Sequence, residues 1–296
     1  MSDNSIALVT ARAARRIDED LAPLIGALKA AGADAQPVDW DDDSAEWSTF
    51  GLALLRSPWD YTKRLPEFLG WAECVSRQTR LLNPLQVVRW NTDKHYLGQL
   101  IQARVPTVSS HFVEPGEDGM TGLQRFFALH PDVAEFVVKP SVGAGSRDTQ
   151  RYARDDVAAA ADHAQRLLDA KRSVLLQPYL DSVDRDGETA LIYFGGEFSH
   201  AVRKGPLLRR GKKPTRALFA EEHITARTPH PDELEAAGAA LAALPFGTLL
   251  YARVDLIRDA GGAPRVLELE LTEPSLFFAQ APGAAQRFAS LIRSFP

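Results

Sequence analysis

Phe136-Val137-Val138-Lys139-Pro140-Ser141-Val142-Gly143-Ala144-Gly145-Ser146-Arg147-Asp148-Thr149 is the stretch around which the chain is organised. An apolar β-branched run ends in a lysine and breaks into Pro, Ser and Gly, so a strand is expected to deliver one cation beside a pliable loop. Gly143 and Gly145 allow close backbone approaches that a side chain would block, and successive N–H groups can then converge on an anion such as a phosphate. The plainer alternative is a surface hairpin with a snorkelling lysine, and a glycine loop alone does not decide between them.

Downstream the alternation continues. Arg151-Tyr152, an Ala-rich helix over 155–170 and Ser173-Val174-Leu175-Leu176-Gln177-Pro178-Tyr179-Leu180 extend an α/β pattern. Residues 181–187 read as an acidic turn, and Gly195-Gly196 between strand patterns at 189–194 and 197–203 reads as a β-hairpin. The basic, Gly- and Pro-containing stretch 205–215 reads as a mobile loop over a site or as a plain solvated loop. A helix over 231–244 follows, then strand patterns at 249–257 and 265–271 around Asp259-Ala260-Gly261-Gly262. Arg253 and Asp255 are two residues apart, as are Glu268 and Glu270, so each pair projects from a single face of its strand. Such charges are costly to bury without compensation. Asp255, Glu268 and Glu270 together form a hard-oxygen set suited to Mg²⁺, with Leu267, Leu269 and Leu271 expected on the other face. A solvent-facing strand edge is the alternative.

Upstream, Ile6-Ala7-Leu8-Val9-Thr10, a helix through Leu21, Leu24, Ile25 and Leu28, and strands at 35–40 and 52–56 predict a small α/β domain over residues 1–86 with a parallel sheet. Ligands gather at the carboxyl ends of such strands. Arg56-Ser57-Pro58-Trp59-Asp60-Tyr61 lies at one of them. Arg56, Asp60 and Tyr61 could grip a small zwitterion, against the alternative of a structural turn around a packed Trp59. Pro66 opens a helix to about residue 80. A second unit over 87–296 begins with Asn91-Thr92-Asp93-Lys94-His95-Tyr96-Leu97-Gly98-Gln99-Leu100, read as one helix capped by Asn91 or Thr92. Lys94 then lies in the first turn, where the helix dipole opposes a cation. A ligand anion would resolve that conflict; a solvated lysine is the other reading.

Bulk properties narrow the partners. A net charge of −5 argues against nucleic acid or an anionic membrane as the main ligand, so any phosphate site must be a local basic pocket. The one cysteine, Cys74, excludes an internal disulfide, fits a reducing compartment and reads as helix packing. No apolar run approaches membrane-spanning length and the first residues lack the regions of a signal peptide, so a cytoplasmic protein is expected. Assembly as a homo-oligomer is left open.

This ordered series of residues resembles the ATP-grasp ligase superfamily from about residue 87 to the C-terminus, with the first domain resembling the Rossmann-like α/β domain that precedes it. The resemblance implies a two-lobed ATP-grasp domain in which residues 107–176 form a mobile lid. Lys94 and Lys139 would contact nucleotide, with the glycine loop 141–147, including Gly143, Gly145 and Ser146, over the phosphates. Gln177-Pro178-Tyr179-Leu180 resembles the adenine-binding hinge, with either Asp184 or Glu188 as the ribose ligand. Arg203 resembles the arginine facing the transferred phosphate or acyl group, and Arg253-Val254-Asp255 the strand carrying a catalytic arginine and the first metal carboxylate. Glu268-Leu269-Glu270 resembles the metal-binding Glu-X-Asn, with glutamate where asparagine is usual. Residues 6–10, 55–61 and 270–278 resemble the branch containing the O-ureido-serine cyclo-ligase of D-cycloserine biosynthesis.

The implied chemistry is ATP- and Mg²⁺-dependent activation of a carboxylate to an acyl phosphate, then attack by nitrogen. The specific expectation is cyclisation of O-ureido-D-serine, an amino-acid-like small molecule. Two other readings are an intermolecular amino-acid or peptide ligase and a regulatory protein that holds ATP without turnover.

Overall fold

The computed structural model describes residues 2–208 and 223–295. β1 (Ser2–Thr10), α1 (Leu21–Ala30), β2 (Asp34–Asp39), β3 (Phe50–Ser57), α2 (Leu65–Ser76) and β4 (Arg80–Leu82) build a sheet ordered β2-β1-β3-β4. Its pairings are parallel. β1 is apolar on both faces because both are covered: Ile6 and Leu8 join one core cluster with α1, and Ala7 and Val9 another with Phe68, Ala72 and Val75 of α2. α2 stops at Ser76 rather than near 80 because Arg80–Leu82 pairs with β3. Cys74 lies on the exposed side of α2, which corrects its reading as a packing residue.

The helix expected over 91–100 is two helices, α3 (Leu85–Asn91) and α4 (Tyr96–Gln102). Lys94 sits in the turn between them, and Asn91 caps nothing. Its side chain donates to Leu269 O at 2.9 Å and accepts from Leu271 N at 2.7 Å, stitching a strand edge across the molecule.

β5 (His111–Val113), α5 (Gly119–Leu129), β6 (Glu135–Pro140), β7 (Gln150–Ala153), α6 (Val157–Asp169) and β8 (Val174–Pro178) form a second sheet, β5-β8-β6-β7, with antiparallel pairings. Leu123 and Phe126 of α5 and Ala160, Ala164 and Leu168 of α6 pack against it. Asp118 starts α5 by accepting from Thr121 N at 2.8 Å.

The 181–187 turn contains a short helix, α7 (Ser182–Asp186). β9 (Glu188–Phe194), β10 (Glu197–Lys204), β11 (Ile224–Arg227), α8 (Pro231–Ala242), β12 (Tyr251–Arg258), β13 (Pro264–Glu270) and α9 (Ala284–Ser294) complete the chain. The third sheet runs β11-β10-β9-β12-β13. Gly195 and Gly196, at φ +60° and +83°, turn β9 into β10 as the sequence predicts. Two register shifts interrupt the ladders. Phe198 pairs with Tyr193 but His200 with Ile192, leaving Ser199 as an extra residue in β10; Asp255 faces Glu268 but Leu256 faces Val266, leaving Leu267 extra in β13.

One core cluster crosses the chain. Ile6, Leu8, Leu24 and Leu54 from the first sheet and its helix pack with Ile192, Phe194 and Leu250 of the third sheet and with Phe288 and Ile292 of α9. Residues 209–215 of the loop expected over a site lie outside the described residues. Among the described residues no helix is long and apolar enough to cross a membrane.

Candidate active site

The three sheets meet around an open cleft. Its floor is one face of the third sheet. Cross-strand partners share a face, and the pairs Glu188↔Lys204, Arg253↔Glu270 and Asp255↔Glu268 all present their side chains to the cleft. Lys204 Nζ lies 2.9 Å from both Glu188 and Asp255, and Arg253 Nε lies 2.8 Å from Asp255 Oδ1. Arg253 also pairs with Glu270 and donates to Ser275 O at 3.2 Å. Burial works against the Asp255 charge, but Arg253 and Lys204 outweigh it and hold the carboxyl down at about 2. For Glu270 burial wins over Arg253, and Asp255 and Glu268 add to it, pushing the carboxyl up to about 8.

The roof is the end of β6 and the loop after it. Lys139, Gly143, Gly145, Ser146 and Arg147 line the cleft. Gly145 and Ser146 both have positive φ, at +62° and +56°, consistent with a tightly curled loop. Lys94 joins roof to floor: its Nζ donates to Gly143 O at 3.0 Å and pairs with Glu268 at 2.8 Å. Burial disfavours the Lys94 cation, yet the Glu268, Glu270 and Glu273 carboxylates raise its pKa. Lys139 is different. Burial, reinforced by Lys94 and Lys204, outweighs Glu268 and Glu188 and brings it down to about 8.

At one end the lining becomes apolar. Val108, Val183 and Ile257 are buried, with Tyr179, Leu180 and Leu267 packed on them, and Gln177 and Pro178 also reach the cleft. Leu267 was expected on the opposite face with Leu269 and Leu271; as the extra residue of the β13 bulge it turns inward instead. Arg151 lies over the Tyr179 ring at 3.6 Å, and the Tyr179 hydroxyl donates to Asp184 at 2.7 Å. Asp184 also pairs with Arg151 at 2.9 Å and is not part of the cleft lining. Of the two acidic residues left open by the sequence, Glu188 is the one that faces the cleft.

At the other end, Trp59, Tyr61, Glu273, Ser275 and Phe277 close the cleft. Two expectations for this end are corrected. Arg56 is wholly buried beneath it, donating to Pro274 O at 3.1 Å and facing Asp18 and Asp20 at 3.5 and 3.6 Å. Asp60 points away, accepting from Trp40 Nε1 at 2.8 Å and from Arg64 at 3.2 Å. Tyr61 does face inward. Arg203 is corrected too: it donates to Asp186 O at 2.8 Å outside the cleft, and Lys204 occupies the inward position. Without the Ser199 bulge, counting from the Gly195-Gly196 turn would put Arg203 opposite Glu188; the extra residue reverses the alternation. Lys204, Glu273 and Phe277 were not singled out from the sequence as cleft residues, whereas Arg147 ends the glycine loop and Trp59 lies in the Arg56–Tyr61 turn that the sequence offered for the site. A glutamate three positions after the Glu-X-Glu pair was the one available signal for Glu273.

Among the described residues no three His, Cys, Asp or Glu side chains already converge on a metal position. The donor set nevertheless fits Mg²⁺ with phosphates: oxygen carboxylates on facing strand positions, beneath a loop whose backbone and lysines suit an anion. An apolar slot, a basic roof and an acidic floor are the layout of an ATP-grasp ligase.

The comparisons agree with that class. The model of the D-cycloserine synthetase DcsG N-terminal domain matches residues 6–83. The cycloserine biosynthesis protein DcsG of Streptomyces lavendulae is 42% identical over 295 residues, covering 97% of each chain. A crystal structure of D-cycloserine synthetase DcsG superposes with a TM-score of 0.91 at 41% identity, covering 98% of this chain and 99% of that one. A structure of the ATP-grasp ligase PsnB with a phosphomimetic variant of its minimal precursor, Mg and ADP shares the fold, at TM-score 0.66, 18% identity and 99% and 98% coverage. The chain belongs to the D-cycloserine synthetase family of ATP-grasp ligases. As a ligase, it is not the regulatory ATP holder that the sequence left as an alternative.

Proposed function

We propose that the chain joins a carboxylate to a nitrogen of the same small molecule at the expense of ATP, and that this molecule is O-ureido-D-serine, closed to D-cycloserine. The observation that carries the reading is the 42% identity to the Streptomyces lavendulae protein over 295 residues, 97% of each chain. ATP is placed with its base in the slot of Tyr179, Leu180, Ile257 and Leu267, its ribose beside Glu188, and its phosphates between Lys139, the 141–147 loop and Lys94. Asp255, Glu268 and Glu270 would hold Mg²⁺, which would supply positive charge against the phosphates. The sheet of β5–β8 with α5 and α6 closes as the lid over residues 107–176, hinged at 177–180. Small molecules are the partners and the cytoplasm is the site of action.

The two reacting groups repel each other, so the cleft's task is alignment and charge compensation. A substrate carboxylate oxygen attacks the γ-phosphorus and ADP leaves. Lys204 and Arg253 face the oxygens that gain charge. The oxygen-bound nitrogen then attacks the acyl carbon, phosphate departs, and the nitrogen loses its proton. The carbamoyl group left on the ring is removed with one water as ammonia and carbon dioxide.

O-ureido-D-serine, ATP and Mg²⁺ supplied to the protein should yield ADP, phosphate and D-cycloserine without any added amine, read by coupled ADP assay and mass spectrometry. ADP release that requires a second amine would make the enzyme an intermolecular ligase.

A further inference from the structure

The carboxylates of the cleft are not equivalently served. Asp255 has Lys204 and Arg253, Glu268 has Lys94, and Glu270 has Arg253. Glu273 lines the cleft at the same end as Tyr61, and among the described residues no lysine or arginine forms an ion pair with it. Glu273 is half-buried at the cleft wall, and a carboxylate there that has no ion-pair partner is a place where a bound ligand can bring the opposite charge.

The backbone beneath Glu273 is held with unusual care. Trp59 Nε1 donates to Glu273 O at 3.0 Å, and Arg56 donates to Pro274 O. The Asp20 carboxylate accepts three successive N–H groups, from Leu276 at 2.5 Å, Phe277 at 3.1 Å and Phe278 at 2.8 Å. Three residues of the first sheet's unit thereby fix a segment more than two hundred positions away, and that segment carries Glu273, the Ser275 carbonyl that Arg253 donates to, and the Phe277 ring under Arg253. An anionic and a cationic side chain are thus locked beside each other at the closed end of the cleft.

We propose that Glu273, with the Tyr61 hydroxyl beside it, takes the ammonium of an α-amino-acid substrate whose carboxylate faces Arg253. This assigns to Glu273 and Arg253 the opposite charges that the sequence suggested for Asp60 and Arg56. It rests on the amino-acid reaction proposed above, and it adds which residue selects for the amino group. A substrate without that group covers Glu273 and supplies no cation to it, so the cleft rejects it; selection of this kind is stronger than that of an apolar pocket.

The test is binding rather than turnover. Dissociation constants of O-ureido-D-serine and of its desamino counterpart, 3-(ureidooxy)propanoate, are measured by calorimetry with Mg²⁺ and a non-hydrolysable ATP analogue. The protein should bind the amino compound roughly 10- to 100-fold more tightly, the size expected of a charge-assisted hydrogen bond. Glu273→Gln should bring that ratio close to one while the affinity for the ATP analogue is retained, which also shows the variant folded. Tyr61→Phe, a milder change, should reduce the ratio partway. Equal binding of the two compounds by the unaltered protein, binding of neither, or an undiminished ratio in Glu273→Gln overturns the assignment. ADP assays report separately: a discriminating protein that releases no ADP keeps Glu273 as the ammonium site and loses the cyclisation reading. ADP release without discrimination does the reverse.

Discussion

Lys139 shows how burial sets the chemistry of a single residue. Its cation is desolvated and flanked by Lys94 and Lys204, and its pKa falls to about 8. Nucleotide phosphates would favour the charged form, so binding and protonation are linked. Below about pH 8 the lysine already carries its proton. Above it, the free protein must take one up, and affinity should fall by up to about tenfold per pH unit. Calorimetric titration with an ATP analogue from about pH 7 to pH 9, in buffers of different ionisation heat, should show weakening and proton uptake together. Lys139→Met should flatten that dependence. A proton count of zero across the range would remove Lys139 from the phosphate site. Arg56 teaches the complementary lesson: a charged residue at a strand end, which looks like a ligand contact in sequence, is here buried completely and spent on the Pro274 carbonyl.

At the scale of elements, β10 decides which cation enters the cleft. The extra residue Ser199 shifts the ladder with β9, so Lys204 rather than Arg203 stands opposite Glu188. Lys204→Met should therefore lower kcat/KM for ATP by about 30- to 1000-fold, the range for removing one charge-assisted donor at a transferring group. Arg203→Ala, which loses only carbonyl contacts at Asp186 and Arg185, should change it by less than about fivefold. Equal losses in both variants would show that β10 presents both residues to the reaction. The break between α3 and α4 is a second case. A continuous helix would bury the Lys94 backbone within it; the turn lets Lys94 N donate to Ser141 O at 3.0 Å while its side chain reaches Gly143 O, tying helix pair to glycine loop.

On the scale of the whole molecule, the N-terminal unit and the third sheet share one core. Phe288 of α9 stacks on Phe194 at 4.6 Å and lies in the cluster that includes Leu8, Leu24 and Leu54. The two regions should accordingly unfold together. Calorimetry should show one transition involving both, and Phe288→Ala should destabilise it by about 3–5 kcal/mol, the usual range for a buried aromatic truncated to alanine. Two well-separated transitions, with only the later one moved by Phe288→Ala, would show that the units are energetically independent. The same interface carries function, since Asp20, Arg56 and Trp59 hold the 273–278 segment that ends the cleft.

What the sequence determined by itself was local. The strand-lysine-glycine run at 136–147, the Gly195-Gly196 turn, and the two-residue spacings of Arg253 with Asp255 and Glu268 with Glu270 follow from backbone geometry within a few residues, and the structure brings Lys139, Gly143, Gly145, Arg253, Asp255, Glu268 and Glu270 to one cleft. The parallel first sheet was legible for the same reason, because covered strands are apolar on both faces. The tertiary structure alone decided the rest. A bulge costs one residue and leaves no compositional mark, yet it exchanged Arg203 for Lys204 and turned Leu267 inward. Glu273 became part of the cleft and Arg56 was excluded from it through packing between segments some two hundred residues apart, while Asp60 was drawn away by Trp40 and Arg64. Strand parity is a property of the chain's own path, whereas the orientation of a side chain beyond a bulge or across an interface belongs to the partner it packs against.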